Sequence, residues 1–241
     1  MSETITPEIE TRHLTLNVAD GTEMPAYLAQ PVGAGPHPGV LVIQEIFGVN
    51  PHIRDLTERY ARAGYTAIAP ALFHRTDPNF ESGYTDMSVV MPHLKAITDA
   101  NLIADVTSAH EWLVSNEGGK AAKVGIVGYC MGGRVVFLAN TALPLDAAIS
   151  YYGGGIAPNG IFPSLLDKAA DLHAPILMFW GGKDGHITLE NRRAVEDALM
   201  AAGKPTVQAV FSEADHGFNC DQRDSFNPDA SRQAQIGRAH V

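Results

Sequence analysis

Residues 124–139 place a cysteine at a sharp change of chain direction. The apolar run Val124-Gly125-Ile126-Val127 leads into Gly128-Tyr129-Cys130-Met131-Gly132-Gly133, and a second apolar run, Val135-Val136-Phe137-Leu138-Ala139, follows at once. The first run reads as a buried strand and the second as part of a helix over 134–141. A chain that passes from strand to helix in one tight turn brings the two backbones together. The residues two before and two after the apex must then lack a Cβ, and Gly128 and Gly132 meet that requirement. With 23 glycines and 2 cysteines in 241 residues, a G-x-C-x-G pattern arises by chance only about 0.02 times. The competing reading is a small buried core cysteine.

The same alternation of strand and helix runs through the chain. Residues 14–18 alternate, Asp20-Gly21 turns, and residues 26–29 continue apolar, which predicts an N-terminal hairpin. A continuous apolar run at 39–43 predicts a strand covered on both faces, and largely apolar segments at 65–69, 123–127, 147–151, 176–180 and 206–211 predict further strands, the first of these stopped by Pro70. Between them, helices are predicted over 53–63, 95–115, 134–141 and 189–202. The expected class is α/β, a mainly parallel twisted sheet with helices on both faces and an N-terminal antiparallel hairpin. At 45% hydrophobic and 18% charged residues, a single domain over 1–241 with one sizeable core is expected. The terminal Ile236-Gly237-Arg238-Ala239-His240-Val241 carries no amphipathic pattern. One reading frame of a common sequencing adapter would encode it, so residues 236–241 are expected to be a non-native tail.

Charge and cysteine usage narrow the function classes. The formal net charge is -10 and the basic residues are scattered singly or in pairs, so no basic stripe offers itself to a phosphate backbone. The first eight residues lack the basic and apolar segments of a secretory signal, and no apolar run approaches a membrane span. Cys130 and Cys220 make no disulfide framework, and a reducing cytoplasm is the expected compartment. Neither H-E-x-x-H nor C-x-x-C occurs, and Cys130 replaces the second glycine of a dinucleotide fingerprint. No metal and no cofactor is expected.

In sheets of this kind ligands gather beyond the carboxyl ends of the strands. Four reactive groups follow predicted strands there: Glu45, Cys130, Asp184 and His216. The strand, turn and helix around Cys130 match the nucleophile elbow of α/β-hydrolases, and nucleophile, acid, histidine is the α/β-hydrolase order. His216 would take the thiol proton, because the thiolate is the attacking species, and Asp184 would fix the imidazole tautomer. Backbone N–H groups of Ile46 and Met131 are the expected oxyanion donors. His186 is a weaker rival base, two residues from Asp184. Asp184 in Gly-Gly-Lys-Asp-Gly also reads as an ordinary turn aspartate.

The stretches Gln44-Glu45-Ile46-Phe47-Gly48-Val49-Asn50, Gly64-Tyr65 with Ala69-Pro70, residues 125–133, Trp180-Gly181-Gly182-Lys183-Asp184 and Asp215-His216-Gly217-Phe218 resemble the dienelactone hydrolase (carboxymethylenebutenolidase) family. The resemblance spans roughly residues 14–226. It implies a Cys130-His216-Asp184 triad, with Glu45 near the sulfur and helping to deprotonate it when substrate displaces the carboxylate. Tyr129 and Phe47 are expected to line the substrate site. The best-known members of the family hold the substrate carboxylate with two arginines. This chain has Cys220 at one of those positions and no arginine between Arg75 and Lys95, so Arg223 or Arg75 is the expected substitute.

Chemistry narrows the substrate further. A thiolate leaves readily from a tetrahedral intermediate, so a poor leaving amide returns to substrate whereas an enolate or activated alcohol departs. Small lactones, enol lactones and activated esters are expected, acted on by a monomer or weak homodimer. The alternatives are a general carboxylesterase or thioesterase, and a non-catalytic redox-sensing relative in which Cys130 is oxidised.

Overall fold

The computed structural model describes residues 7–33 and 35–237. The expectation of a non-native tail falls largely outside these residues, at 238–241. The chain forms two compact units, Met1–Val42 with Phe47–Gly125, and Ile43–Ile46 with Ile126–Val241.

The first unit is built around β1 (Ile9–Asn17), β2 (Glu23–Pro31), β3 (Gly39–Ile43), α1 (Pro51–Arg62), β4 (Thr66–Pro70), α2 (Met91–Ala96) and α3 (Asp99–Val114). The hairpin runs in register from Ile9 opposite Pro31 to Asn17 opposite Glu23. Its turn is closed by Asp20, whose Oδ1 accepts from Thr22 N and Oγ1 at 3.0 and 2.6 Å. β4 lies between β2 and β3, antiparallel to the first and parallel to the second. The wholly buried runs of β3 and β4 agree with their unbroken apolar sequence.

The second unit contains β5 (Val124–Tyr129) from Ile126 onward, α4 (Met131–Asn140), β6 (Ala147–Tyr151), a 3₁₀ turn (Leu166–Asp171), β7 (Ile176–Gly181), α5 (Leu189–Ala201), β8 (Thr206–Phe211) and α6 (Pro228–Gly237). The strand order is β5-β6-β7-β8, with β6, β7 and β8 parallel. The fold is therefore α/β and mainly parallel, with its antiparallel pair at the N-terminus. Among the described residues no helix is long and apolar enough to cross a membrane.

Two sequence expectations change. The helix predicted over 95–115 is two helices, because Thr98 takes extended backbone (φ -128, ψ 158) and its side chain caps Asn101 N. A threonine before an acidic first turn is a stronger start signal than the helical pattern running through it. The segment after β8, read without a helix, carries α6, started by Asn227 Oδ1 on Ala230 N at 3.0 Å and by Pro228.

Candidate active site

Cys130 is the residue between β5 and α4, with φ 56 and ψ -119. A non-glycine residue held in such a region costs about 1–3 kcal/mol and persists only where its surroundings over-determine it. Here Cys130 N donates to Tyr151 O at 3.0 Å, and Gly133 N donates to Cys130 O at 2.9 Å. The flanking glycines meet the spacing requirement read from the sequence. A Cβ on Gly128 would lie 2.2 Å from Gly132 O. A Cβ on Gly132 would lie 2.5 Å from Ile43 O and 2.6 Å from Gln44 O, so this glycine also admits the segment that carries Glu45. Cys130 is partly exposed.

Asp184 and His216 stand on loops after adjacent parallel strands. A Cβ on Gly181 would lie 2.7 Å from Ala214 O, and one on Gly182 2.5 Å from Ser212 O, so the two loops touch backbone to backbone. Asp184 Oδ1 accepts from His186 N at 2.8 Å and Ile187 N at 3.0 Å, an Asx-type turn. Asp184 Oδ2 lies 2.8 Å from His216 Nδ1. One oxygen of this aspartate closes the turn and the other faces His216, so the turn reading and the triad reading do not exclude one another.

The electrostatics favour charge separation. Burial works against the Asp184 carboxylate, yet the His216 hydrogen bond, the His216 charge and the two backbone N–H groups hold it below its usual range. Burial likewise disfavours the His216 imidazolium. Attraction to the Cys130 sulfur, the hydrogen bonds to Asp184 and Cys130, and the Asp184 charge outweigh that and raise it to about 10. The His216 ring is flanked by His186 and Tyr152, each with its centroid 5.2 Å away.

Glu45 is fully buried. Its Oε1 faces Arg223 Nη1 at 3.4 Å across 178 residues of sequence, and its Oε2 has no hydrogen-bond partner. Burial pushes its carboxyl upward against the opposing pull of Arg223 and His216. By residue type and position alone Glu45 reads as a solvated loop residue, and only the family resemblance placed it near the sulfur. Arg223 reaches it because two turns, Cys220 N to Gly217 O and Arg223 N to Cys220 O, fold the chain back over Gly217. Tyr152 is a site residue that sequence reasoning missed. It is fully buried, has φ 39, and sits just after β6, where a search for residues beyond strand ends could have found it.

The other expected residues fall as follows. Met131 is the first residue of α4, so its N–H has no partner one turn earlier within the helix. Ile46 is partly exposed. Tyr129 is buried with its ring 4.8 Å from that of Tyr151. Phe47, in the first unit, is buried edge-on to Tyr84 at 4.7 Å. Arg75, also in the first unit, forks onto Asp105 at 2.8 and 2.9 Å and reaches Asp20 at 2.8 Å. Among the described residues no group of three or more His, Cys, Asp or Glu side chains could hold a metal ion.

The sequence pattern of the dienelactone hydrolase family matches residues 24–236. The chain belongs to the dienelactone hydrolase family. It is 37% identical over 237 residues to a candidate carboxymethylenebutenolidase of Synechocystis sp., covering 95% of each chain. A candidate carboxymethylenebutenolidase of Escherichia coli K12 is 39% identical over 215 residues, covering 87% of this chain and 78% of that one. The crystal structure of a candidate dienelactone hydrolase from Klebsiella pneumoniae superposes with a TM-score of 0.88 at 36% identity, covering 97% and 98% of the two chains. The fold is the α/β-hydrolase fold, and membership of a dienelactone hydrolase family makes the protein a carboxylic ester or lactone hydrolase.

Proposed function

We propose that the protein hydrolyses small lactones and activated esters through a covalent acyl-thiol intermediate on Cys130, as one α/β-hydrolase domain of the cytoplasm. One observation carries the reading. His216 hydrogen-bonds Asp184 at 2.8 Å and the Cys130 side chain, and its imidazolium is raised to about 10 beside that sulfur. A thiolate and imidazolium pair is the resting state such an enzyme needs.

The Cys130 sulfur attacks the carbonyl carbon, and the oxyanion is received by the N–H groups of Met131 and Ile46. The carbonyl re-forms as the ester C–O bond breaks, and the His216 imidazolium gives its proton to the departing oxygen. The product of this half is a thioester on Cys130; in a lactone the freed hydroxyl or enol stays attached to the acyl group. Neutral His216 then takes a proton from water, whose oxygen attacks the thioester, and expulsion of the sulfur restores the ion pair. Asp184 holds the imidazole tautomer throughout.

Arg223 is the anchor for a substrate carboxylate. It is the cation facing Glu45, and it interacts with Cys130 electrostatically. Arg75 is committed to Asp105 and Asp20 and takes no part. Glu45 is the group that a substrate carboxylate displaces from Arg223. The test is to mix the enzyme with a slowly deacylating aryl ester and map the adduct by peptide mass spectrometry. An acyl group on Cys130 with turnover is expected; labelling elsewhere, or labelling without turnover, overturns the mechanism.

A further inference from the structure

We propose that the Tyr152 hydroxyl positions Glu45: it becomes the hydrogen-bond donor to the Glu45 carboxylate when a substrate carboxylate occupies Arg223. The inference rests on the reading of Arg223 as the substrate anchor.

Two buried polar atoms at this site lack partners, Tyr152 Oη and Glu45 Oε2. One is a donor without an acceptor and the other an acceptor without a donor. Buried polar groups are nearly always satisfied, and each one left open calls for an explanation. Both groups border the turn at Cys130: Tyr151 O, next in the chain to Tyr152, accepts from Cys130 N at 3.0 Å, and a Cβ on Gly132 would lie 2.6 Å from the backbone oxygen of Gln44, next to Glu45. Burial is the main reason the Tyr152 phenol stays neutral far above its ordinary range, and Glu45 is the next, ahead of Tyr129, Cys220 and Cys130. A phenol so held can donate a hydrogen bond but cannot act as a base.

Tyr152 is also the fixed member of the pair. Its backbone is at φ 39, an unfavourable region for a residue with a side chain, and its N–H is pinned to Phe179 O at 2.8 Å. Its ring lies 5.1 Å from Phe218 and 5.2 Å from His216. Glu45, with three side-chain torsions, is the member that turns.

The charged groups acting on Glu45 are Arg223 and His216. When a substrate carboxylate takes Arg223, Glu45 loses its hydrogen bond from that guanidinium and faces a second negative charge while remaining enclosed. It must then accept either a hydrogen bond or a proton. Tyr152 supplies the hydrogen bond, so Glu45 stays ionised and substrate binding takes up no proton. Without the hydroxyl, Glu45 takes a proton as substrate binds, and binding weakens as pH rises.

The test compares Tyr152→Phe, which keeps the ring, with the wild type on a carboxylated enol lactone and a neutral one of similar size. In the variant, the ratio of KM for the carboxylated substrate to KM for the neutral one is expected to rise with pH, approaching about tenfold per unit. In a Glu45→Gln background the same substitution is expected to change nothing further. Equal losses on both substrates, a pH-independent rise in KM, or additivity with Glu45→Gln overturns the proposal. A second measurement needs no variant: calorimetry of a carboxylated product analogue in two buffers of different ionisation enthalpy. Wild-type enzyme is expected to take up no proton, and uptake of about one proton overturns the proposal. Arg223→Ala separates the two levels. If it keeps the wild-type preference for the carboxylated substrate, the anchor is misassigned and the Tyr152 inference falls with it. If it loses that preference while Tyr152→Phe behaves as wild type, the Tyr152 inference alone is wrong.

Discussion

Arg223 occupies the space where a side chain on Gly217 would begin, its Nη1 2.4 Å and its Cζ 2.6 Å from the position of a Cβ. The residue beside the candidate base is thus kept bare so that a guanidinium six positions further on can reach the buried Glu45. Gly217 also has φ +79, which a side chain disfavours. Gly217→Ala is therefore expected to raise KM for a carboxylated lactone about tenfold, a cost comparable to one displaced charged hydrogen bond, and to lower the melting temperature. Wild-type KM in the alanine variant would show that Arg223 does not depend on the vacancy.

Removal of the sulfur separates chemistry from packing. Cys130 is partly exposed at a turn whose positions are fixed by glycine contacts rather than by the thiol. Cys130→Ala is expected to abolish turnover and leave the melting temperature nearly unchanged. Cys130→Gly is expected to be equally inactive but more stable by about 1 kcal/mol, because it relieves the backbone strain at φ 56. Melting curves and aryl ester turnover check both, and a large melting loss in the alanine variant would mean that the cysteine is a packing residue.

In the proposed mechanism Asp184 has two roles, and one substitution distinguishes them. An asparagine keeps an oxygen for His186 N and Ile187 N but loses the carboxylate facing His216. Asp184→Asn is expected to retain its fold and lose activity by a factor that could approach about 10⁴, less if the thiol depends weakly on its base. His186→Ala leaves the backbone donor in place and is expected to be mild. Silence of Asp184→Asn in steady-state kinetics would remove Asp184 from the mechanism.

The pH profile carries the sign of the ion pair. In the proposed mechanism the leaving oxygen takes the His216 proton, and the surroundings of that imidazolium raise it to about 10. The alkaline limb of kcat/KM for a neutral ester is expected near that value instead of near the ordinary histidine range, as a property of the coupled Cys130 and His216 pair. Asp184→Asn, which removes one of the charges that raise it, is expected to shift the limb downward. An alkaline limb near pH 6.5 in the wild type would contradict the assignment.

What the sequence determined was whatever local rules control. The elbow around Cys130, the strands at 147–151 and 206–211, and the placement of Asp184 and His216 after strand ends were legible because each is encoded by glycines, apolar runs and chain order. The break at Thr98 and the start of α6 at Asn227 and Pro228 were written in local capping signals that the broader helical pattern obscured. Tertiary structure decided the surroundings of the sulfur. Glu45 meets Arg223 across 178 residues, Arg75 is taken by Asp20 and Asp105, and Tyr152 is enclosed with its hydroxyl unmet. Burial and charge pairing are properties of what distant segments bring together, so a side chain that reads as a solvated loop residue in the sequence can become the most deeply enclosed carboxylate of the site.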